Sequence, residues 1–303
     1  MVSMESQQIR TELLASRGNA TPLSIEEARR AWEDAVENAN RSVMETVAPV
    51  DLDGVPGEWV APHITTCDGA MLFFHGGGYN AGSCRTHRAL AARLARAAGV
   101  PILLVDYRLA PEHPCPAAVQ DAMVAYRWLL RHGFAGRQLV LGGDSAGAGL
   151  ALAALVGLRD DGDEPPAGAY LISPWVDLSL TGPSFLTHAD LDPTTTHKAL
   201  SDAAQLYLGE RAPTDPVASP LHADLSGLPP LLIQVGGLEI LQCDATRLAE
   251  RATLAGVEHQ LEVWDEMWHV WHAWAESFPE ARAAICRIGA FVRQCLRLKP
   301  EEG

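Results

Sequence analysis

The stretch QLVLGGDSAGAGLALAALVGL, residues 138–158, joins a short apolar run to a small-residue helix through a glycine-flanked serine. QLVLG reads as a strand, and the alanine- and leucine-rich run that follows reads as a helix. Between them lies Gly143-Asp144-Ser145-Ala146-Gly147, a G-x-S-x-G motif in a strand–turn–helix setting. A turn this sharp tolerates only small neighbours, which Gly143 and Gly147 provide. It lifts the Ser145 hydroxyl clear of the sheet's C-terminal edge. The helix behind it turns its N-terminal dipole toward negative charge developing there. Taken alone, G-x-S-x-G is common; the strand-to-helix context makes it specific.

Outward from this stretch, strands and helices alternate. Strands are expected at Ala70–Phe74, Pro101–Val105, Gln138–Leu141, Ala169–Ile172, Leu231–Val235 and Gln260–Val263. Helices are expected near 85–98, 116–132, 146–159, 243–256 and 279–297. This rhythm predicts an α/β fold with a mostly parallel sheet covered on both faces. Two regions break it. Residues 1–45 are polar with helical spacing, opened in part by a Ser24/Glu27 capping box ahead of Ile25, Ala28, Ala31, Trp32 and Ala35. More than fifty residues rich in Pro, Thr, Asp and His separate Ser173 from Leu231, too long for a simple connection. We read 1–45 as a helical cap segment and 46–303 as the main domain, with a cap insertion at about 180–210.

Composition narrows the partners. The 303 residues are 48% hydrophobic and 20% charged, as in an ordinary globular chain. Lys and Arg total 23 against 38 Asp and Glu, a net charge of -15 that disfavours nucleic acid and anionic membrane surfaces. The six cysteines form no C-x-x-C pair and read as free thiols. MVSMESQQIR lacks the apolar core of a secretory signal, and no window is long enough to span a membrane, so the expected location is cytoplasmic.

A second motif, His75-Gly76-Gly77-Gly78-Tyr79, follows the strand MLFF. Consecutive glycines let backbone N–H groups approach a reacting carbonyl closely. Gly76 and Gly77, with Ala146, are therefore the expected oxyanion hole. His75 is read as an anchor of this loop rather than as a base.

HGGGY, then DYRLAPEHPCPAA at 106–118, then GDSAG, taken in this order, resemble the bacterial hormone-sensitive-lipase-like esterases from about residue 60 onward. The resemblance implies an α/β-hydrolase with a helical cap. It implies hydrolysis of short to medium acyl esters, without metal or cofactor. The likeness further implies structural roles for Glu112 and His113 and a homodimer through the edge strand near 260–263.

The likeness also orders the remaining site residues as serine, acid, histidine. LLIQVGGLEILQCD offers Glu239 and Asp244 as the acid. The family's usual aspartate falls on Glu239, a departure by one methylene, while Asp244 reads as a cap of the following helix. In LEVWDEMWHVWHAW the family's histidine falls on His269, leaving His272 structural or pocket-lining. Asp177 reads as a structural turn residue. Tyr79 and Trp268 are the candidate pocket walls. The substrate stays open: a general ester, or an acetyl or lactone group on one specific metabolite. A receptor is the third alternative, since the plant gibberellin receptors resemble the same family but lack the histidine that stands here.

Overall fold

The computed structural model describes residues 2–17, 23–66 and 68–296. Cys67 and residue 297, the last of the final expected helix, lie outside that range. In chain order the elements are α1 (Met4–Ser16), α2 (Ile25–Ala35), α3 (Glu37–Arg41), β1 (Thr46–Asp51), β2 (Pro56–Ala61), β3 (Ala70–Phe74), α4 (Cys84–Ala98) and β4 (Ile102–Val105). Then follow α5 (Ala117–Arg131), β5 (Leu139–Asp144), α6 (Ala146–Asp160), β6 (Gly168–Ile172), α7 (Ser184–Thr187) and α8 (His197–Leu208). The chain finishes with β7 (Leu231–Gly236), α9 (Gln242–Leu254), β8 (His259–Trp264) and α10 (Pro279–Cys295).

Eight strands form one sheet in the order β1-β2-β4-β3-β5-β6-β7-β8. From β4 to β8 every pairing is parallel. The central strands are buried on both faces, which is why they read as unbroken apolar runs. Alternate residues feed two cores. Leu72, Phe74, Leu141 and Ile233 pack with α5, α6 and α9, while Met71, Phe73, Val140 and Leu232 pack with α4 and α10. Parallel strands bring their C-terminal ends to one edge, so the segments after β3, β5, β7 and β8 converge there.

The first two strands are antiparallel and were not among those expected. TVAPVD is mostly exposed and carries a proline, so it lacks the apolar signature of the inner strands. A turn signal was present: Asp53 and Gly54 both have positive φ, 56° and 94°, in a two-residue turn between Leu52 and Val55.

The Ser24–Glu27 capping box forms as read from the sequence. Among the described residues the cysteines are free, and no helix is long and apolar enough to cross a membrane.

Candidate active site

Ser145 sits between β5 and α6 with φ 54° and ψ −121°, a strained backbone for a residue with a side chain. The surroundings hold it there. Its N–H donates to the Ile172 carbonyl at 2.9 Å, and its own carbonyl accepts from Trp175, Ala148 and Gly149. A Cβ on Gly143 would collide with the Gly147 carbonyl, and one on Gly147 with the carbonyl of Phe74. The elbow therefore requires glycine at both positions. Ser145 starts α6, whose first amides have no partner within the helix; Ala146 is the first of them.

His269 arrives on the loop after β8. Its Nε2 lies 2.9 Å from Ser145 Oγ. Its Nδ1 has no hydrogen-bond partner; Glu239 Oε2 is 3.9 Å away, and Glu239 Oε1 is likewise unpartnered. Glu239 follows β7 and is fully buried. Ser173, after β6, links the two loops: its hydroxyl donates to Glu239 Oε2 at 2.7 Å and accepts from the Val270 N–H at 3.0 Å. Burial lowers the His269 pKa, partly offset by the charges of Asp192 and Asp144. Burial pushes the Glu239 carboxyl well above the usual range, and the charge of Asp192 adds to that push.

Asp244 is elsewhere. It lies within the first turn of α9 rather than before it, so it is not the cap expected from the sequence. Its Oδ2 accepts the N–H groups of Val176 and Asp177 at 3.0 Å each, bracing the loop after β6, and burial raises its pKa to about 7. Asp177 is buried and binds Arg247 and His222. His272 is buried with Nε2 2.8 Å from Gln234 Oε1, a structural contact.

The glycine loop departs from expectation at one position. The Gly76 N–H is taken by Asp144 Oδ1 at 3.0 Å, so Gly76 is not an available oxyanion donor. Gly77 and Gly78, with φ of 117° and 63°, line the cavity beside Ser145. Asp144 is held in turn by His87. Burial raises its pKa, but the His87 charge and hydrogen bond outweigh that and the net shift is downward. His75 stacks on Tyr107 at 4.2 Å and has Nδ1 2.8 Å from the Gly76 carbonyl. Burial pushes its pKa down to about 4, so it is a neutral anchor at pH 7.

A cavity of about 770 Å³ opens over Ser145 and His269. Its apolar walls include Trp32 and Val36 from the N-terminal segment, Leu200 and Ala203 from α8, and Leu90 and Trp274 from the main domain. The two pocket residues expected from the sequence are corrected. Tyr79 is buried, stacked on Tyr207 at 3.7 Å, and Trp268 is buried against Trp274 and Phe278. Trp32 and Trp274 take the aromatic positions instead. An i, i+3, i+4 count places Trp32 on one face of α2 but cannot say what that face meets. Asp192, Thr194 and Ser173 were missed because nothing in their local sequence marks them.

Comparison with known proteins follows the same lines. A family model describing an alpha/beta hydrolase fold matches residues 71–273. An acetyl-hydrolase of Streptomyces hygroscopicus is 43% identical and covers 97% of each chain. The solved structure of an esterase from the bacterial hormone-sensitive lipase family is 45% identical with a TM-score of 0.94, covering 98% of this chain and 99% of that one. The solved structure of EstE5, in a crystal soaked with p-nitrophenyl butyrate, is 42% identical with a TM-score of 0.93, covering 97% of this chain and 99% of that one.

Proposed function

Because this chain belongs to the bacterial hormone-sensitive-lipase-like esterases and is a carboxylesterase of the α/β-hydrolase fold, we propose that it cleaves short to medium acyl esters through a covalent acyl-enzyme on Ser145. The observation that carries this reading is the 2.9 Å contact between Ser145 Oγ and His269 Nε2 at a strained strand–helix elbow.

In the first step His269 Nε2 takes the Ser145 proton while Oγ attacks the ester carbonyl. The oxyanion receives the N–H groups of Gly77, Gly78 and Ala146. The alcohol leaves with the proton from His269. In the second step water, deprotonated by the same imidazole, releases the acid and restores Ser145. Glu239 orients the ring. The carboxylate stands 3.9 Å from the unpartnered Nδ1 of His269 through Oε2, a gap expected to tighten on substrate binding.

Residues 1–45 and the 180–210 insertion form the cap. Support comes from the cavity, which is lined by Leu23, Ala28, Trp32 and Val36 of the first segment together with Thr194, Leu200 and Ala203 of the second. The alternative substrate, an acetyl group on one specific metabolite, draws support from the acetyl-hydrolase relative. β8 is an outer strand of the sheet, and through it we propose self-association with a second copy.

Initial rates on p-nitrophenyl esters from acetyl to palmitoyl test the reading. A maximum between two and eight carbons is expected. A maximum at long chains overturns the short-acyl assignment. Turnover confined to acetyl favours the alternative.

A further inference from the structure

Asp192 belongs to the insertion between β6 and β7, is fully buried, and forms no ion pair with Lys or Arg among the described residues. Its Oδ1 accepts the Thr194 N–H and hydroxyl at 3.0 Å and the Thr195 N–H at 3.3 Å. Its Oδ2 accepts the N–H of Ile240, the residue after Glu239, at 3.1 Å. Thr194 also reaches the His269 carbonyl at 3.3 Å. One buried carboxylate thus joins the acid loop, the histidine loop and the cavity wall, since Thr194 and Thr195 both line the pocket.

We propose that Asp192 is a positioning residue of this active site: it pins the Glu239 and His269 loops to the insertion and supplies fixed negative charge for the imidazolium that forms during turnover. The proposal rests on the Ser145–His269–Glu239 reading above. A charge buried without a cation is costly unless its hydrogen bonds are complete, and here amides from two separate loops complete them. Glu239, by contrast, receives a hydroxyl donor on one oxygen and leaves the other unpartnered. Burial also disfavours its ionised form. The charge of Asp192 favours the protonated ring of His269, against the effect of burial.

The other titratable groups around His269 are Asp144 at the end of β5, Glu239 after β7 and His272 in the following turn. His87 and Asp202 stand farther round the same cavity. On the insertion side, Arg10 and Arg17 of the N-terminal segment bind the backbone carbonyls of Leu191, Ala189 and Thr195, and His188 precedes Asp192 by four residues.

The test is the pH dependence of kcat/KM on p-nitrophenyl butyrate for Asp192→Asn and Asp192→Glu. Removing the charge makes the His269 imidazolium harder to form. Asp192→Asn should therefore move the acid limb to lower pH by about half a unit or more and lower kcat about tenfold, with KM within about twofold. Asp192→Glu, which keeps the charge, should return the limb to its wild-type position. If Asp192→Asn keeps the wild-type limb and kcat, or if both variants move the limb equally, the proposal fails whatever happens to Tm. Should Asp192→Asn not fold, Thr194→Val decides. It removes one donor and the His269 carbonyl contact but keeps the charge, so kcat should fall about threefold with the limb unmoved; unchanged kcat overturns the proposal. Ser145→Ala separates the two readings. If it stays active the triad itself is wrong; if it is dead while Asp192→Asn is normal, only Asp192 is misassigned.

Discussion

Arg29 of α2 grips Glu112 with two bonds of 2.9 Å, across 83 residues of chain. The same guanidinium donates to the carbonyls of Asn80 and Ala110. A single side chain thus ties the N-terminal segment to the glycine loop and to the loop carrying Pro-Glu-His-Pro. The structural role read for Glu112 in the sequence has a specific content here: it anchors the helix that brings Trp32 to the cavity.

The Arg29 hydrogen bond lowers the Glu112 pKa to about 2 from 4.5. A depressed carboxyl contributes stability that is present above its unfolded value and lost as pH falls through its folded value. Glu112 is half-exposed, so solvent screening limits the contribution to about 0.5 kcal/mol. Wild type should exceed Glu112→Gln in stability by that amount at pH 7, with the difference vanishing between pH 4.5 and 2. Urea unfolding across that range measures it, and a constant difference would remove the ion pair from the account.

Ser145→Ala should leave the fold intact and cut kcat by several orders of magnitude. A fluorophosphonate probe should label Ser145 in the wild type and nothing in the variant. Labelling that persists at another serine would move the nucleophile.

For the acid, Glu239→Gln should lower kcat on the order of a hundredfold or more with little change in KM, because orienting the imidazole matters in the transition state. Glu239→Asp should retain partial activity, since the carboxylate stays but its reach shortens. Asp244→Asn should cost about 1–3 kcal/mol of stability through its two buried amide partners while the folded fraction stays active. A dead Asp244→Asn beside an active Glu239→Gln would exchange their roles.

Trp32 is the large aromatic that the N-terminal segment contributes to the cavity. Trp32→Ala should lower kcat/KM on butyryl esters about tenfold and shift the preferred acyl chain to greater length, as an apolar wall is removed. An unchanged chain-length profile would leave the N-terminal helices as mere cover for the main domain.

The parallel sheet and the Ser145 elbow were legible in the sequence because each rests on local constraint, whereas the proposed order of serine, acid and histidine came from the family likeness. Inner strands must be apolar on both faces, and the elbow admits no Cβ at Gly143 or Gly147. Asp53-Gly54 was equally local and marked a hairpin that the exposed, proline-bearing β1 disguised. What only the tertiary structure decided are relations between distant segments. The Gly76 amide is spent on Asp144, 68 residues away. Tyr79 and Trp268 face the core, while Trp32 and Trp274 wall the cavity. Asp192 meets the amide of Ile240 across 48 residues. Local sequence determines which backbone shapes are possible, but which side a ring turns to and which donor a buried carboxylate finds depend on what the rest of the chain packs against it.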